Sequence, residues 1–452
     1  MTLPFAAEAA ACREAQLAWS RRPVAERLKP IRELRHLLVE RAEEIIATVG
    51  AEIGRPPVEV IASELLPTAA AMKFLATRAE SILKPRAVSW RPLWLMGSRD
   101  TVHRRPWGIV GVIGTWNYPI FLNVVQIAHA LAAGNGVLWK PSEMAPRTAD
   151  LTSSLFRAAG VPEGLLQTLP ATREGGAQLA EAEVDHVVFT GSDRVGRKLA
   201  ARLGERLIPS TLELSGIDAM FVLDDADVTL AARTAWFGLT LNRGQTCIAV
   251  RRIFVHRSRL AEFQSVLMPL VEAAPPMRLA NGIEVRPTVS LDPAAERPVC
   301  REASFSPMAA IVPYDSIDTA LSLAAAIPFG LSASIFSRDT ERAKRLAERI
   351  PSGSVIVNDA LASTAHPGTP FGGRGASGWG VTQGPEGLLA MTDPQVVTVR
   401  KGSFRPHVDD AVKPDPATIP LLRGLLTASH GRGLGAKLRG AFEMIRGVRR
   451  RT

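Results

Sequence analysis

The sequence is poor in cysteine, which limits the sites that it can build. Its 452 residues include three cysteines, Cys12, Cys247 and Cys300, which are odd in number, far apart and without the spacing of metal ligands. Neither a disulfide framework nor a zinc site is expected, so we predict no metal site. A reducing compartment is the simpler expectation for such a chain.

Long apolar runs are also scarce. No stretch reaches the roughly 18 apolar residues that a membrane-spanning helix needs. The N-terminal stretch MTLPFAAEAAACREAQLAWSRR carries Glu8 and Glu14 and has no basic start before an apolar core, so it resembles an amphipathic helix more than a signal peptide. With 46% hydrophobic and 22% charged residues, the chain is long enough for two domains with separate cores. We predict a cytoplasmic protein.

Acidic residues are scarce in the last part of the chain. Between residues 421 and 452, Glu443 is the one acidic residue. The basic residues there supply, after subtraction of that acid, +7 of the net charge of +10: Arg423, Arg432, Lys437, Arg439, Arg446, Arg449, Arg450 and Arg451. The rest of the chain is therefore close to neutral.

Apolar residues are interleaved with these charges at three- to four-residue spacing: Leu434, Leu438, Ala441, Ile445 and Val448. This pattern is typical of a helix that lies on an anionic membrane surface, which makes the protein a candidate peripheral membrane protein. Five glycines between residues 431 and 447 weaken a helix, so a solvated or disordered basic tail is the alternative. Nucleic acid is not expected, because no recognition module accompanies the charge.

The body of the chain alternates strand and helix patterns. Residues 5 to 83 have the apolar spacing of several helices. Beyond residue 105, apolar strand-like runs alternate with helical patterns, as in GIVGVIG, GVLWKPSE and DHVVFTGSDRVGRKLA, and a second such set follows Cys247. This alternation predicts an α/β fold with parallel sheets and crossover helices.

Two stretches are suited to a nucleotide. Thr190, Gly191 and Ser192 follow an apolar run and open a helix, whose free N–H groups and dipole would favour an anion such as a pyrophosphate. Lys140 and Glu143, in KPSE, should lie at the carboxyl end of a strand and could bond ribose hydroxyls. An ordinary capped helix and a solvated loop are the alternatives.

Three further residues are candidates for catalysis. Cys247 in GQTC is either a nucleophile or an inert core thiol. Glu213 ends an apolar run, where low polarity would raise its pKa toward that of a working base, unless it is simply exposed. Asn117 in TWNYP could donate an N–H to an oxyanion or only hold a turn before Pro119.

Six motifs together resemble the aldehyde dehydrogenase superfamily over nearly the whole chain. They occur in the order and approximate spacing of that family: TWNYP at 115–119, KPSE at 140–143, FTGS at 189–192, ELSG at 213–216, GQTC at 244–247 and PFGGRGASG at 370–378. The short N-terminus and IGTWNYP look most like its dimeric, class 3-like branch, which acts on fatty and aromatic aldehydes. The resemblance implies a Rossmann-type cofactor domain (1–83 and 105–215), an α/β catalytic domain (216–390), a β-flap for dimerisation (84–104 and 391–403) and a basic tail (404–452).

The resemblance also implies a role for each motif. Cys247 would attack the aldehyde carbon, the Asn117 side chain and the Cys247 N–H would stabilise the oxyanion, and Glu213 would activate the water that hydrolyses the thioester. Lys140 and Glu143 would hold the adenosine ribose, and Thr190, Gly191 and Ser192 the pyrophosphate. A carboxylate at Glu143 disfavours a 2′-phosphate, so NAD is expected and NADP stays open. The implied reaction is oxidation of an apolar aldehyde to its acid by a homodimer.

Two departures from the family pattern bear on this reaction. Where the family reads EEIFGPV, this chain places Ala303 at the position of the carboxylate that binds the nicotinamide ribose, although Phe305 matches the family's aromatic residue. Glu302 is adjacent, but neighbouring residues of an extended segment face opposite sides. The segment from Cys247 to Pro307 is also short. Two alternatives therefore stay open: a cysteine-dependent esterase or thioesterase-like remnant with weak nicotinamide binding, and a non-catalytic membrane-associated scaffold.

Overall fold

The chain folds as two compact units. The computed structural model describes residues 3–292, 298–402 and 405–451. One unit comprises Met1–Leu83 and Arg105–Asp393, and the other comprises Lys84–Arg104 and Pro394–Thr452. Residues 1, 2, 403, 404 and 452 of the predicted cofactor domain, flap and tail lie outside the described residues.

The N-terminal part is helical, as the apolar spacing predicts. Its α-helices are Ala6–Ser20 (α1), Val24–Arg27 (α2), Lys29–Glu40 (α3), Ala42–Ile53 (α4), Pro57–Val60 (α5) and Leu66–Leu83 (α6). A π-helical turn, Ile61–Leu65, joins α5 to α6. By length and composition the stretch Pro57–Leu83 could span a membrane. Its residues Ala71 and Leu75 belong to the main core cluster, so we assign it as a core helix.

Short strands follow in the second unit. They are Arg86–Ala87 (β1) and Ser98–Pro106 (β2), with Thr392–Arg400 (β19) from the far end of the chain. The three form one sheet in the order β1-β2-β19.

The first unit contains two six-stranded sheets. The first sheet and its helices use Ile109–Ile113 (β3), Phe121–Ala133 (α7), Gly136–Lys140 (β4), Pro146–Ala158 (α8), Leu166–Thr168 (β5), Glu174–Glu181 (α9), His186–Thr190 (β6), Asp193–Glu205 (α10) and Ser210–Glu213 (β7). The strand order is β18-β7-β6-β3-β4-β5, where β18 is Gly378–Trp379 and pairs antiparallel to β7. The other pairs are parallel.

The second sheet follows directly. The strands of this sheet are Asp218–Val222 (β8), Val250–His256 (β9), Thr288–Leu291 (β12), Met308–Tyr314 (β13), Ser332–Phe336 (β15) and Ser354–Val357 (β16). The helices of this region are Val228–Thr240 (α11), Leu260–Ala273 (α12), Pro298–Arg301 (α13), Ile317–Ala325 (α14), Thr340–Ala347 (α15) and Gly384–Ala390 (α16). Two separate antiparallel pairs lie outside this sheet: Met277–Arg278 (β10) with Glu284–Val285 (β11), and Phe329–Gly330 (β14) with Arg374–Gly375 (β17). The order in the sheet is β12-β13-β9-β8-β15-β16, and every pair within it is parallel. The α/β prediction is confirmed.

Both faces of each sheet are covered by apolar packing. In β3, Val110 and Val112 face the cluster that contains the N-terminal helices, whereas Ile109 and Ile113 face another cluster. Alternation of this kind follows from the two-residue period of a strand, and burial on both sides explains why the strands are apolar throughout. The carboxyl ends of β3, β4, β6 and β7 run directly into TWNYP, KPSE, GSD and LSG. Four of the six motifs thus leave from one edge of one sheet.

The second unit ends in helices. They are Pro406–Val412 (α17), Thr418–His430 (α18) and Gly433–Arg451 (α19). α18 begins at Thr418, so Pro420 lies in its first turn. α18 and α19 pack as an antiparallel hairpin, with Leu421 against Gly447 and Ala428 against Gly440.

Candidate active site

Cys247 lies where two cavities of the first unit meet. It is a free thiol, partly buried, between a tight helical turn at Leu241–Gly244 and β9. One cavity, of about 460 Å³, is mostly apolar and includes Val58, Phe121 and Phe237 in its lining. The other, of about 360 Å³, is lined by predicted site residues together with Cys247: Asn117, Thr190, Gly191, Ser192, Glu213, Ala303 and Phe305. A group bound on either side can therefore reach the sulfur.

A tight backbone contact holds the turn before Cys247. Gly244 has φ +71°, and a Cβ on it would lie 2.6 Å from the carbonyl of Ser306, so this position requires glycine. Arg251 occupies an irregularity in the pairing of β8 with β9, and its buried guanidinium donates to the carbonyl oxygens of Gly244, Ser306 and Met308. The turn before the cysteine and the segment after Phe305 are thereby held together.

Asn117 is oriented by its hydrogen bonds. The Thr115 hydroxyl donates to Asn117 Oδ1 at 2.7 Å, and Asn117 Nδ2 donates to the carbonyl of Gln245 at 3.1 Å. Because the amide has two N–H groups, one N–H is left after the bond to Gln245. The amide nitrogen thus faces the cysteine turn and has a donor available there.

A buried ion pair lies beneath this asparagine. Arg55 and Glu64 have no exposed side-chain surface and their charged atoms are 2.5 Å apart. Arg55 also donates to the Asn117 carbonyl and lies 4.4 Å from the centre of the Tyr118 ring. Glu64 accepts from the backbone N–H groups of Ile120 and Phe121 at 3.1 and 2.7 Å.

The sequence alone does not predict this ion pair. Arg55 lies in GRPP, which indicates only a helix break, and Glu64 lies among apolar residues. The π-helical turn that carries Glu64 leaves no sequence signal that we recognise. Turns of this type are frequent at functional sites.

The side chain of Glu213 is buried away from water. Among the described residues, none donates a hydrogen bond to either carboxylate oxygen. Burial raises its pKa well above the usual value of 4.5. Of the described residues that line the smaller cavity, it is the only carboxylate. A carboxyl with a raised pKa that faces a cavity has the property required of a general base.

The thiol of Cys247 is neutral in this environment. Burial raises its pKa to about 12, and the negative charges of Asp218 and Glu213 add to the effect. Asp218 is itself buried, which raises its pKa, and only one of its oxygens accepts a bond, from the N–H of Ser332. The thiol must therefore transfer its proton before or as it attacks.

The residues around Ser192 fit a dinucleotide. α10 begins immediately after β6, and the Ser192 hydroxyl caps it by accepting from Val195 N–H at 3.4 Å. A Cβ on Gly196 would lie 2.5 Å from Leu214, so glycine lets α10 approach the sheet closely, as the third glycine does in dinucleotide-binding folds. The helix N-terminus, with its free N–H groups, matches the charge of a pyrophosphate.

Lys140 and Glu143 lie outside the lining of the smaller cavity and bond each other. Lys140 Nζ is 3.5 Å from Glu143 Oε2, and Arg173 Nε is 3.3 Å from Glu143 Oε1. Burial alone would raise the pKa of Glu143, but its own N–H and these two cations lower it. An ionised carboxylate beside a lysine, at the end of β4, suits ribose hydroxyls.

Between α13 and β13, none of the described residues adds a second carboxylate to the smaller cavity. Ala303 and Phe305 line it, and the Phe305 ring lies 6.2 Å from that of Trp116, whereas Glu302 is exposed and does not line it. Glu302 therefore does not take the place of the missing carboxylate.

The chain matches the Aldehyde dehydrogenase family over residues 5–278 and 269–397. It is 34% identical to 4,4'-diapolycopene aldehyde oxidase of Methylomonas sp, over 84% of this chain and 79% of that protein. It is 30% identical to a putative succinate-semialdehyde dehydrogenase [NADP(+)] 2 of Mycobacterium ulcerans, over 87% and 83%.

A solved structure is also similar. The Mycobacterium tuberculosis aldehyde dehydrogenase complexed with NAD+ is 30% identical and superposes with a TM-score of 0.82, over 88% of this chain and 90% of that chain. Fold, motif order and these matches agree over both sheets. The chain belongs to the aldehyde dehydrogenase family and is an oxidoreductase that uses NAD or NADP to oxidise an aldehyde.

Proposed function

We propose that this enzyme oxidises an apolar, fatty or aromatic aldehyde to the carboxylic acid. The observation that carries the proposal is the apolar cavity of about 460 Å³ that ends at Cys247. Leucine, isoleucine, valine, phenylalanine and alanine side chains dominate its lining, and Val58 and Phe237 at its wall are 70% and 42% exposed, which leaves an apolar entrance. Each methylene buried there contributes about 0.8 kcal/mol to binding.

The charges of the cavity disfavour an acidic substrate. Of the described residues that line it, Glu59 is the only one with a formal charge, and none is basic. A carboxylate such as that of succinate semialdehyde would find no cation and would meet the charge of Glu59. The Methylomonas relative is named for the oxidation of 4,4'-diapolycopene aldehyde and not of a semialdehyde, which is consistent with this cavity.

Cys247 acts as the nucleophile in this proposal. Its sulfur adds to the aldehyde carbon and the carbonyl oxygen becomes an oxyanion, which the free Asn117 N–H and the Cys247 backbone N–H stabilise. The bond from Asn117 to Gln245 and the Arg55–Glu64 pair hold this donor in place before substrate arrives. Donors fixed in advance need no reorganisation during the reaction.

Glu213 is the general base in this proposal. In its ionised form, Glu213 is a stronger base than an ordinary glutamate because its pKa is raised. It can accept the thiol proton, release that proton to solvent, and then take a proton from the water that attacks the thioester. When bound, NAD or NADP would supply the acceptor for the hydride of the thiohemiacetal carbon. Ser192 and the N-terminus of α10 would hold the pyrophosphate, Lys140 and Glu143 the adenosine ribose, and Phe305 the nicotinamide side of the cavity. Release of the acid returns the thiol.

The test is a substrate series followed by absorbance at 340 nm with NAD and NADP. The series runs from acetaldehyde through decanal, with benzaldehyde and succinate semialdehyde for comparison. We expect kcat/KM to rise about fourfold per added methylene until the cavity is full, as the burial of a methylene implies. Phe237→Asp should reduce kcat/KM for decanal and leave acetaldehyde unchanged, while Leu207→Asp, at a residue 89% exposed and outside the cavity lining, is the matched control.

A preference for succinate semialdehyde over hexanal would refute the substrate class. Loss of all activity in Cys247→Ala is expected. No nicotinamide reduction with any pair, in a folded protein whose Cys247 still cleaves a p-nitrophenyl ester, would favour the esterase remnant. Loss of every Cys247-dependent activity would favour the non-catalytic scaffold.

The same proposal includes a homodimer formed through residues 84–104 and 391–403 and a cytoplasmic location. The three-stranded sheet β1-β2-β19 supplies the flap that such a dimer would use. Light scattering on the purified chain gives the mass that decides between monomer and dimer.

A further inference from the structure

The glycines of the C-terminal tail have a packing role that shows which side of α19 faces inward. A Cβ on Gly440 would lie 2.2 Å from the backbone nitrogen of Ala428, and one on Gly447 would lie 2.8 Å from Leu421 Cα. These two positions can hold only glycine while α18 and α19 stay this close. The inner side of α19 is therefore the side that carries Gly440 and Gly447.

The opposite side of α19 is apolar and uncovered. Leu434, Leu438, Phe442 and Ile445 are 75%, 62%, 69% and 49% exposed. At about 100° per residue these four side chains fall within an arc of roughly 80°, centred away from the glycines. We call them the α19 face. Four large apolar side chains together in water indicate a binding surface.

Basic residues flank the α19 face. Lys437 lies along one side of it, and Arg439 and Arg446 along the other; all three are exposed. Glu443, the one acidic residue of α19, is turned away from the face and lies 3.5 Å from Arg423 of α18. From Leu434 to Ile445 the outward half of the helix is thus apolar along its middle and positive at both edges. The exposed Arg449 continues the middle of the face one turn beyond Ile445 and adds to its positive charge.

We propose that the α19 face lies on a lipid bilayer with anionic headgroups. Its leucines, phenylalanine and isoleucine enter the boundary of headgroups and acyl chains, and the long lysine and arginine side chains extend to lipid phosphates. A second copy of this chain is a poor occupant, because two such faces would bring like charges together. Nucleic acid is a poor occupant too, because the centre of the face has nothing that hydrogen-bonds a base.

The other exposed apolar side of the hairpin lacks this charge pattern. α18 exposes Ile419, Leu422 and Leu426. Arg423, the one arginine in α18, pairs with Glu443, and α18 contains no lysine. The proposal therefore assigns the membrane to α19 alone, which provides a matched control within one hairpin. It does not rest on the proposed substrate class.

The experiment is co-sedimentation of the full chain with large vesicles. One set is pure phosphatidylcholine and the other contains a third of phosphatidylserine. We expect binding to the anionic vesicles, little to the neutral ones, and release as salt is raised. Leu438→Glu should weaken binding at least about tenfold, and the triple change Lys437→Gln, Arg439→Gln, Arg446→Gln should weaken it similarly.

Leu426→Glu is the matched control, since Leu426 is 63% exposed and Leu438 is 62% exposed. It should bind vesicles as the unchanged protein does. Equal loss in both variants, no binding to anionic vesicles, or equal binding to neutral ones would each overturn the proposal. Capture of an acidic soluble protein in place of vesicles would also overturn it. Oxidation of benzaldehyde, a soluble substrate, should be the same in all these variants, so failure here is distinguishable from failure of the proposed chemistry.

Discussion

Replacement of Glu213 by glutamine tests whether this carboxyl is as desolvated as the structure indicates. Both its oxygens are buried, and none of the described residues donates to them, so its pKa in the folded chain is well above 4.5. Burial therefore favours the neutral, protonated form of the Glu213 carboxyl. The stability from burying it is fully present below pH 4.5 and is lost as the pH rises toward the folded pKa.

The size of the effect follows from proton linkage. In that pH interval, each pH unit removes about 1.4 kcal/mol from the free energy of unfolding of the unchanged protein. Glutamine carries no titrating group, so the free energy of unfolding of Glu213→Gln does not fall in this way as the pH rises. The difference in free energy of unfolding between variant and parent should therefore grow by up to about 1.4 kcal/mol per unit as the pH rises from 4.5 toward the folded pKa. In a chain of this size that corresponds to about 2 °C in Tm per pH unit.

The assay is calorimetry or thermal scanning fluorimetry at several pH values, with Glu80→Gln, at an exposed glutamate of α6, as the control. The control should follow the parent at every pH. Parallel curves for Glu213→Gln and parent at every pH above 4.5 would refute the argument. The same variant should form the thioester more slowly and should also hydrolyse it about 100-fold to 10,000-fold more slowly, because both steps need Glu213 as a general base.

Three further predictions concern the thiol, the turn that carries it and the coenzyme. Because the pKa of Cys247 is raised to about 12, its alkylation by iodoacetamide, followed by mass spectrometry, should accelerate about tenfold per pH unit from pH 7 to pH 10 without a plateau. Arg251→Met removes three hydrogen bonds to backbone carbonyls and should lower the free energy of unfolding in urea by about 3 kcal/mol. Glu143→Gln removes a charge that repels a 2′-phosphate and should raise kcat/KM for NADP relative to NAD about tenfold.

For each of these three predictions, one result would contradict it. A plateau in alkylation below pH 9 would mean that the thiol is activated in the free enzyme. Unchanged stability in Arg251→Met would mean that its bonds to the cysteine turn are not maintained in solution. An unchanged coenzyme ratio in Glu143→Gln would place the ribose elsewhere.

Local patterns were enough to predict most of the fold. Strands such as β3 and β6 are apolar on both faces because both are covered, and this makes them recognisable as short apolar runs between helical patterns. Ser192 marks the start of α10 because its side chain caps the helix. Motif order predicts Cys247, Asn117 and Glu213 as site residues, and the structure brings these three to the smaller cavity.

Such local patterns could not predict contacts between distant segments of the chain. Arg55 and Asn117 are 62 residues apart, and Arg251 and Ser306 are 55 apart, so nothing local indicates that they bond. The role of the tail glycines likewise depends on contacts between distant residues. Read one at a time they weaken a helix, whereas in the hairpin Gly440 and Gly447 are what lets α18 approach α19.

The amino-acid sequence alone indicated the family, because six motifs in the family's order imply a nucleophile, a base, an oxyanion donor and a phosphate-binding turn that no single motif establishes. It also determined the alternation of strands and helices, since hydrophobic period is a local property. The tertiary structure decided which side chains share a cavity, how far their pKa values move and which surfaces stay apolar. Those depend on burial and on distances across the sheets, which arise only when segments far apart in the chain are packed together.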